Sequence, residues 1–210
     1  MNLETWLTVL GVGILIVLSP GPQWAITIKN SLSSREYGYF TVFGMCSGSV
    51  VHITYCLIGI GVIISQSILL FNIVKWVGAI YLIYLGLKSL FTQKQKNHPL
   101  VENELITNRL NRWKSFRIGI LTSLLNPKAT LFYLSLFTQV VEPGSQAFAQ
   151  LGYGLSVVGI EMIWYSIMVM FLTHNYIRRR FLAISIWIER TSGAILVLLG
   201  IRLAMTKPSS

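Results

Sequence analysis

Long apolar runs separated by short polar connections organise this chain. Six runs are long enough for a bilayer core, which takes about 20 residues of helix. They lie near residues 6–28, 40–64, 69–91, 116–140, 147–173 and 183–205. Those runs use most of the 210 residues, leaving no room for a separate soluble domain, and the pattern predicts an all-α integral membrane protein of six transmembrane helices. Two runs are interrupted by proline: Ser19-Pro20-Gly21-Pro22-Gln23 in the first and Leu125-Asn126-Pro127-Lys128 in the fourth. Proline lacks a backbone donor and clashes with the preceding turn, so a helix carrying it kinks or breaks. Inside lipid a break is tolerated only where protein or a water-filled cavity satisfies the freed backbone groups. The first and fourth helices are therefore expected to be discontinuous.

The two breaks fall at matching places in two similar halves. Ser19-Pro20 aligns with Asn126-Pro127, and at the same offset Ser49-Val50-Val51 aligns with Ser156-Val157-Val158. With a few residues inserted, Gly78-Ala79-Ile80 aligns with Gly193-Ala194-Ile195, and Gly86-Leu87-Lys88 with Gly200-Ile201-Arg202. A unit of three helices, an odd number, must sit upside down relative to its twin. The expected organisation is residues 1–91 as a first three-helix repeat, 92–115 as a polar cytoplasmic linker and 116–210 as the second repeat, inverted. Inverted repeats place their substrate site near the midplane, where discontinuous helices meet. Small residues in the second helix (Gly38, Gly44, Ser47, Gly48, Ser49) and the fifth (Gly152, Gly154, Ser156, Gly159) predict close helix contacts.

Composition sharpens this picture. The chain is 53% hydrophobic and 11% charged, with a net charge of +10. The basic residues cluster: Lys29 and Arg35 in the first connection, seven from Lys88 to Arg117 in or beside the third, and Arg178 to Arg180 in the fifth. The second and fourth connections are nearly bare. That is the positive-inside pattern; it puts the odd connections in the cytoplasm and both termini outside, and it argues against nucleic acid as the partner. Cys46 and Cys56 lie on one helix and read as packing residues. With no CxxC pair, HExxH motif or His cluster, neither a metal nor a cofactor is expected. The first run lacks a basic leader and a cleavage site, so it is expected to be retained as a helix.

Candidate chemistry sits at the breaks and beside them. The first offers the Ser19 hydroxyl, the Gln23 amide and the N-terminus of the half-helix after Gly21-Pro22, whose N–H groups and partial positive charge suit a carboxylate. The second repeats this with Asn126 and Pro127 and adds Lys128. Glu161 lies about halfway along the fifth helix, where an ionisable group is costly and points to function; Lys128 is its expected partner. Trp164 and Tyr165 follow within about a turn and are candidates to shape a cavity. His52, at a similar height in the second helix, is a second candidate for proton coupling. Lys75, Glu189 and Arg190 lie near helix starts, as anchors or gate charges. An intramembrane enzyme is disfavoured: Ser19 has no His on its helix, and no paired acids appear.

These residues resemble the LysE/RhtB family of amino-acid exporters, in its homoserine/threonine branch. The likeness rests on Ser19-Pro20-Gly21-Pro22, the glycine series of the second helix, Leu85-Gly86, Asn126-Pro127-Lys128-Ala129, Glu161 with Trp164, and Trp187-Ile188-Glu189 followed by Gly193-Ala194. It covers nearly the whole chain in order. The resemblance implies a bacterial inner-membrane exporter of small amino acids, driven by the proton gradient. The family's motif usually continues Pro-Gly-Pro-Asp, and this chain has Gln23 instead, which shifts the burden of charge recognition to Glu161.

The reading that follows is a secondary transporter working by alternating access, with a small amino acid and the lipid bilayer as partners and a homodimer left open. The substrate carboxylate is expected at Gly21–Gln23 and Asn126–Lys128, and its ammonium or the coupling proton at Glu161. An exporter of basic amino acids or of another small metabolite is the alternative, ahead of a non-transport assembly protein.

Overall fold

A computed structural model describes residues 3–66, 68–91, 110–140, 147–172, 187, 190–201 and 204–205. These residues form helices and no strands: α1 (Leu3–Leu18), α2 (Pro22–Ser33), α3 (Arg35–Gln66), α4 (Ile68–Leu90), α5 (Arg112–Leu124), α6 (Pro127–Val140), α7 (Ala147–Leu172) and α8 (Arg190–Ile201). The chain breaks where the prolines predict. The last bond of α1 is Ser19 N–H to the Leu15 carbonyl, at 3.1 Å. Pro22 then opens α2, where its missing N–H and fixed φ cost nothing. The two half-helices meet at a bend of 56°. Pro127 opens α6 in the same way after α5 ends at Leu124.

By length and apolarity α3 (residues 35–59) and α7 (residues 148–171) each qualify to cross a bilayer, and the bent pair α1–α2 makes a third. Helix α5 starts at Arg112, ahead of the apolar run at 116, because Asn111 caps it: its Oδ1 accepts the Lys114 N–H at 2.8 Å. A polar cap lies outside the hydrophobic pattern and is invisible to it. Most of the predicted linker and the Arg178–Arg180 cluster lie outside the described residues, as does Glu189.

Helix α3 is the hub and packs against α2, α4, α5, α6 and α7. Its crossing with α5 brings backbone against backbone. A β-carbon on Gly44 would strike the Phe116 carbonyl, and one on Gly119 would strike the carbonyl of Thr41. Gly48 lies on Ser123, and Gly38 on Ser31 of α2. Without a hydrophobic driving force between helices in lipid, such close approach supplies the dispersion contacts that hold them. The fifth predicted span behaves differently. Gly154 packs on Ile53, but Gly152 and Gly159 face open space, so only part of that glycine series marks a contact.

Helices α4 and α8 make a reciprocal, antiparallel contact. Gly86 lies on Gly193 and Val197, while Gly200, its aligned counterpart, lies on Ala79 and Ile83. Cys46 and Cys56 are free thiols buried in the core alongside Met45, Ile53, Phe137 and Val169. Lys75, expected near an interface, is buried, with its Nζ 5.9 Å from the Trp76 ring centroid.

The glycines give opposite expectations for one chemical change. Gly119→Ala should cost about 1–3 kcal/mol by overpacking the α3–α5 crossing. Gly152→Ala, with room around it, should be neutral or stabilise by up to about 1 kcal/mol through helix propensity. Thermal unfolding of the two purified variants in detergent checks both.

Candidate functional site

The two breaks face each other, and the orphan backbone groups of one are met by a side chain of the other. The last carbonyls of α1 have no partner within the helix. Lys128, in the first turn of α6, reaches across and donates from Nζ to the Ser19 carbonyl at 2.9 Å and to the Pro20 carbonyl at 3.4 Å. A cation near a helix N-terminus is unfavourable for that helix, while one at a C-terminus is favourable. The lysine side chain thus leaves the positive end of α6 for the negative end of α1. Asn126 closes the N-terminus of α6: its Oδ1 accepts the Lys128 N–H at 3.1 Å, and its carbonyl accepts the Thr130 N–H at 3.0 Å.

Glu161 on α7 is only 3% exposed, and its carboxylate is held from two sides. Gln23 Nε2 donates to Oε1 at 2.8 Å, and Ser49 Oγ donates to Oε2 at 2.7 Å. Asn126 Nδ2 in turn approaches Gln23 Oε1 at 3.4 Å, so Gln23 bridges the second break to Glu161. The partner expected for Glu161 was Lys128. The hydrogen bonds it accepts come instead from an amide and a hydroxyl, because Lys128 is drawn to the α1 carbonyls. The amide at position 23 supplies Glu161 with a donor that an ionised carboxylate there would lack. An aspartate or glutamate there would set a second carboxylate against the first, and two such charges a few ångströms apart repel.

A narrow cavity lies between the breaks, lined by Ser19, Gly21, Gln23, Ser49, Asn126 and Lys128 on its polar side together with Glu161. Ile16, Val17, Ala129, Phe132 and Val157 form its apolar wall, and Tyr133 and Tyr165 also line it. About 30 Å³ is open to the centre of a water molecule, enough for a water or two and too little for an amino acid. Ser19 is 2% exposed, and its Oγ has no hydrogen-bond partner among the described residues.

His52 sits behind this cavity. Its Nε2 is 3.0 Å from the Ser123 carbonyl, at the end of α5. A carbonyl only accepts, so Nε2 carries a proton. Its Nδ1 meets the Tyr55 hydroxyl, and its ring stacks on Tyr133 at 5.6 Å and 15°.

The structure therefore brings Ser19, Gly21, Gln23, Asn126, Lys128, Glu161 and Tyr165 to one cavity. Pro22 and Pro127 are exposed and shape the breaks without lining the space between them. Trp164 is partly buried against the core and does not line it either; at one residue before Tyr165 it points about 100° away around the helix. Sequence reasoning took Ser49 only as a repeat and packing residue and passed over Tyr133. Ser49 carried a usable signal, a small hydroxyl one turn from His52 in an apolar run. Tyr133, an aromatic in an aromatic-rich helix, carried none.

Comparison with known proteins identifies the family. Residues 14–207 match the model of the LysE type translocator family. The chain belongs to that family. It is a LysE translocator, a membrane transport protein and not an enzyme. It is 31% identical over 165 residues to an uncharacterized membrane protein of Vibrio cholerae, covering 78% of each chain. It is 30% identical over 165 residues, again 78% of each chain, to proteins of Salmonella typhimurium and Salmonella typhi named homoserine/homoserine lactone efflux protein. No solved structure matches.

Two substitutions in this translocator should part company in stability. Ser49→Ala removes one of the two donors to a buried carboxylate and should cost about 1–3 kcal/mol. Glu161→Gln keeps the shape, still accepts from Gln23 and can donate to the Ser49 hydroxyl, so its melting temperature should match or exceed that of the wild type. Thermal melts in one detergent decide both.

Proposed function

We propose that this LysE translocator exports small neutral amino acids of the threonine or homoserine kind across the bacterial inner membrane, coupled to the proton gradient. The observation that carries the reading is the buried Glu161 carboxylate, held by Gln23 and Ser49 in a cavity between two helix breaks. An ionisable group at such depth is costly to keep and marks a pathway. Glu161 binds the substrate ammonium in one stage of the cycle and the coupling proton in another, so the two ligands compete for one carboxylate. The cavity's single lysine disfavours a basic side chain in the same space. The printed names of the Salmonella relatives support an amino-acid-like cargo.

The working cycle is alternating access between two inverted three-helix repeats, α1–α4 and α5–α8. Support comes from the paired breaks and from the reciprocal contact of Gly86 and Gly200 across α4 and α8. The first and third connections lie in the cytoplasm and both termini outside, in keeping with the basic clusters.

Efflux from preloaded proteoliposomes tests the function. Threonine or homoserine should leave faster than from empty liposomes, and faster still with an imposed pH gradient; lysine should not. Glu161→Gln should abolish the gradient dependence while remaining folded. Loss of neither transport nor its pH dependence in that variant removes Glu161 from the role. Orientation is checked separately with Ser33→Cys, at the exposed end of α2. A membrane-impermeant maleimide should label it in inverted vesicles and spare it in intact cells.

A further inference from the structure

The two breaks are not equivalent. In the second, the N-terminus of α6 is already capped by Asn126 Oδ1. In the first, the residue preceding α2 is Gly21, and no side chain caps that helix. A twelve-residue helix with an uncapped N-terminus attracts an anion through its orphan N–H groups and its dipole. Two further groups surround this end. The Ser19 hydroxyl lines the cavity, is almost wholly buried and has no hydrogen-bond partner among the described residues. Buried polar atoms in native proteins rarely go unpaired, and an exception asks for an explanation such as a ligand. The Lys128 ammonium lies beside the same turn, so close that a β-carbon on Gly21 would sit 3.8 Å from its Nζ.

We infer that the transported molecule carries a free carboxylate, and that it docks at the first break, on the N-terminus of α2 and the Ser19 hydroxyl, with the Lys128 ammonium reaching across from the second. The N-terminus of α6 takes no part in binding the anion, because the Asn126 cap already satisfies it from within. With Glu161 lining the same cavity for the ammonium, the site reads the two charged ends of a zwitterion and leaves the apolar wall of Ile16, Val17 and Val157 for an uncharged side chain. Closing the carboxylate into an amide or a lactone removes the anion that the end of α2 attracts. The inference rests on the amino-acid reading above and sharpens it: the protein selects the acid form over its neutral derivatives.

Calorimetric binding to the full chain in detergent tests this, with threonine and homoserine set against threonine amide and homoserine lactone. The acids should bind about 10- to 100-fold more tightly than the neutral derivatives, the range for losing a hydrogen-bonded charge. Ser19→Ala and Lys128→Met should weaken the acids and leave the amide and lactone unchanged, collapsing the ratio. Gly21→Ala serves as a folded control variant. Its φ of −177° is extended backbone open to any residue, and its methyl would make only ordinary contact with Lys128. It should melt like the wild type while binding the acids more weakly. Equal binding of acid and amide, or equal losses for both in Ser19→Ala and Lys128→Met, overturns the docking site and leaves the exporter reading standing. Failure of the whole panel to bind overturns both.

Discussion

A helix broken inside a membrane must find new partners for the backbone groups the break exposes, and in this protein each break finds them differently. The carbonyl end of α1 is met by the Lys128 ammonium, brought from the other half of the chain. The amide end of α6 is met by the side chain of the residue just before it. The first solution ties the halves together; the second is local. Everything polar at the centre follows from that division. With Lys128 committed to α1, Glu161 depends on neutral donors, and Gln23 and Ser49 supply them from α2 and α3. One carboxylate thus gathers three helices, while one lysine gathers two breaks.

Close packing around this centre keeps the polar groups in register. Helix α3 lies against α5 with no side chain between them at Gly44 and Gly119, which lets Ser49 and His52 reach α7 and the end of α5 respectively. A bulkier seam would move Ser49 away from Glu161. The buried hydroxyls of Thr27, Ser31 and Thr41 bond back to carbonyls one turn earlier on their own helices, the usual resolution where no water is at hand. Asn30 adds a bond from α2 to Thr41 of α3 at 2.8 Å. The second half of the first broken helix, α2, is therefore fixed to the hub by polar as well as apolar contacts.

Much of the site was legible in the sequence because its signals are local. Proline in an apolar run breaks a helix wherever the run ends up, and an acid in such a run must be buried among partners. That reasoning located Ser19, Gly21, Gln23, Asn126, Lys128 and Glu161 without any knowledge of packing. The choice of partner was not legible. Lys128 takes backbone carbonyls over Glu161 because the broken end of α1 lies within its reach, a fact of tertiary structure. Rotation about a helix axis was equally hidden. In lipid both faces of α7 are apolar, so the polar–apolar stripe that orients a helix in a soluble protein is absent. Gly154 against a neighbour and Gly152 against open space look alike in the sequence, as do Trp164 and Tyr165.

The smallness of the central cavity bears on the cell's energy supply. A space that admits a water or two cannot hold an unbroken file of water between the two faces of the membrane. An open aqueous channel at this point would discharge the voltage stored across the bilayer, and a cavity of this size is not such a channel.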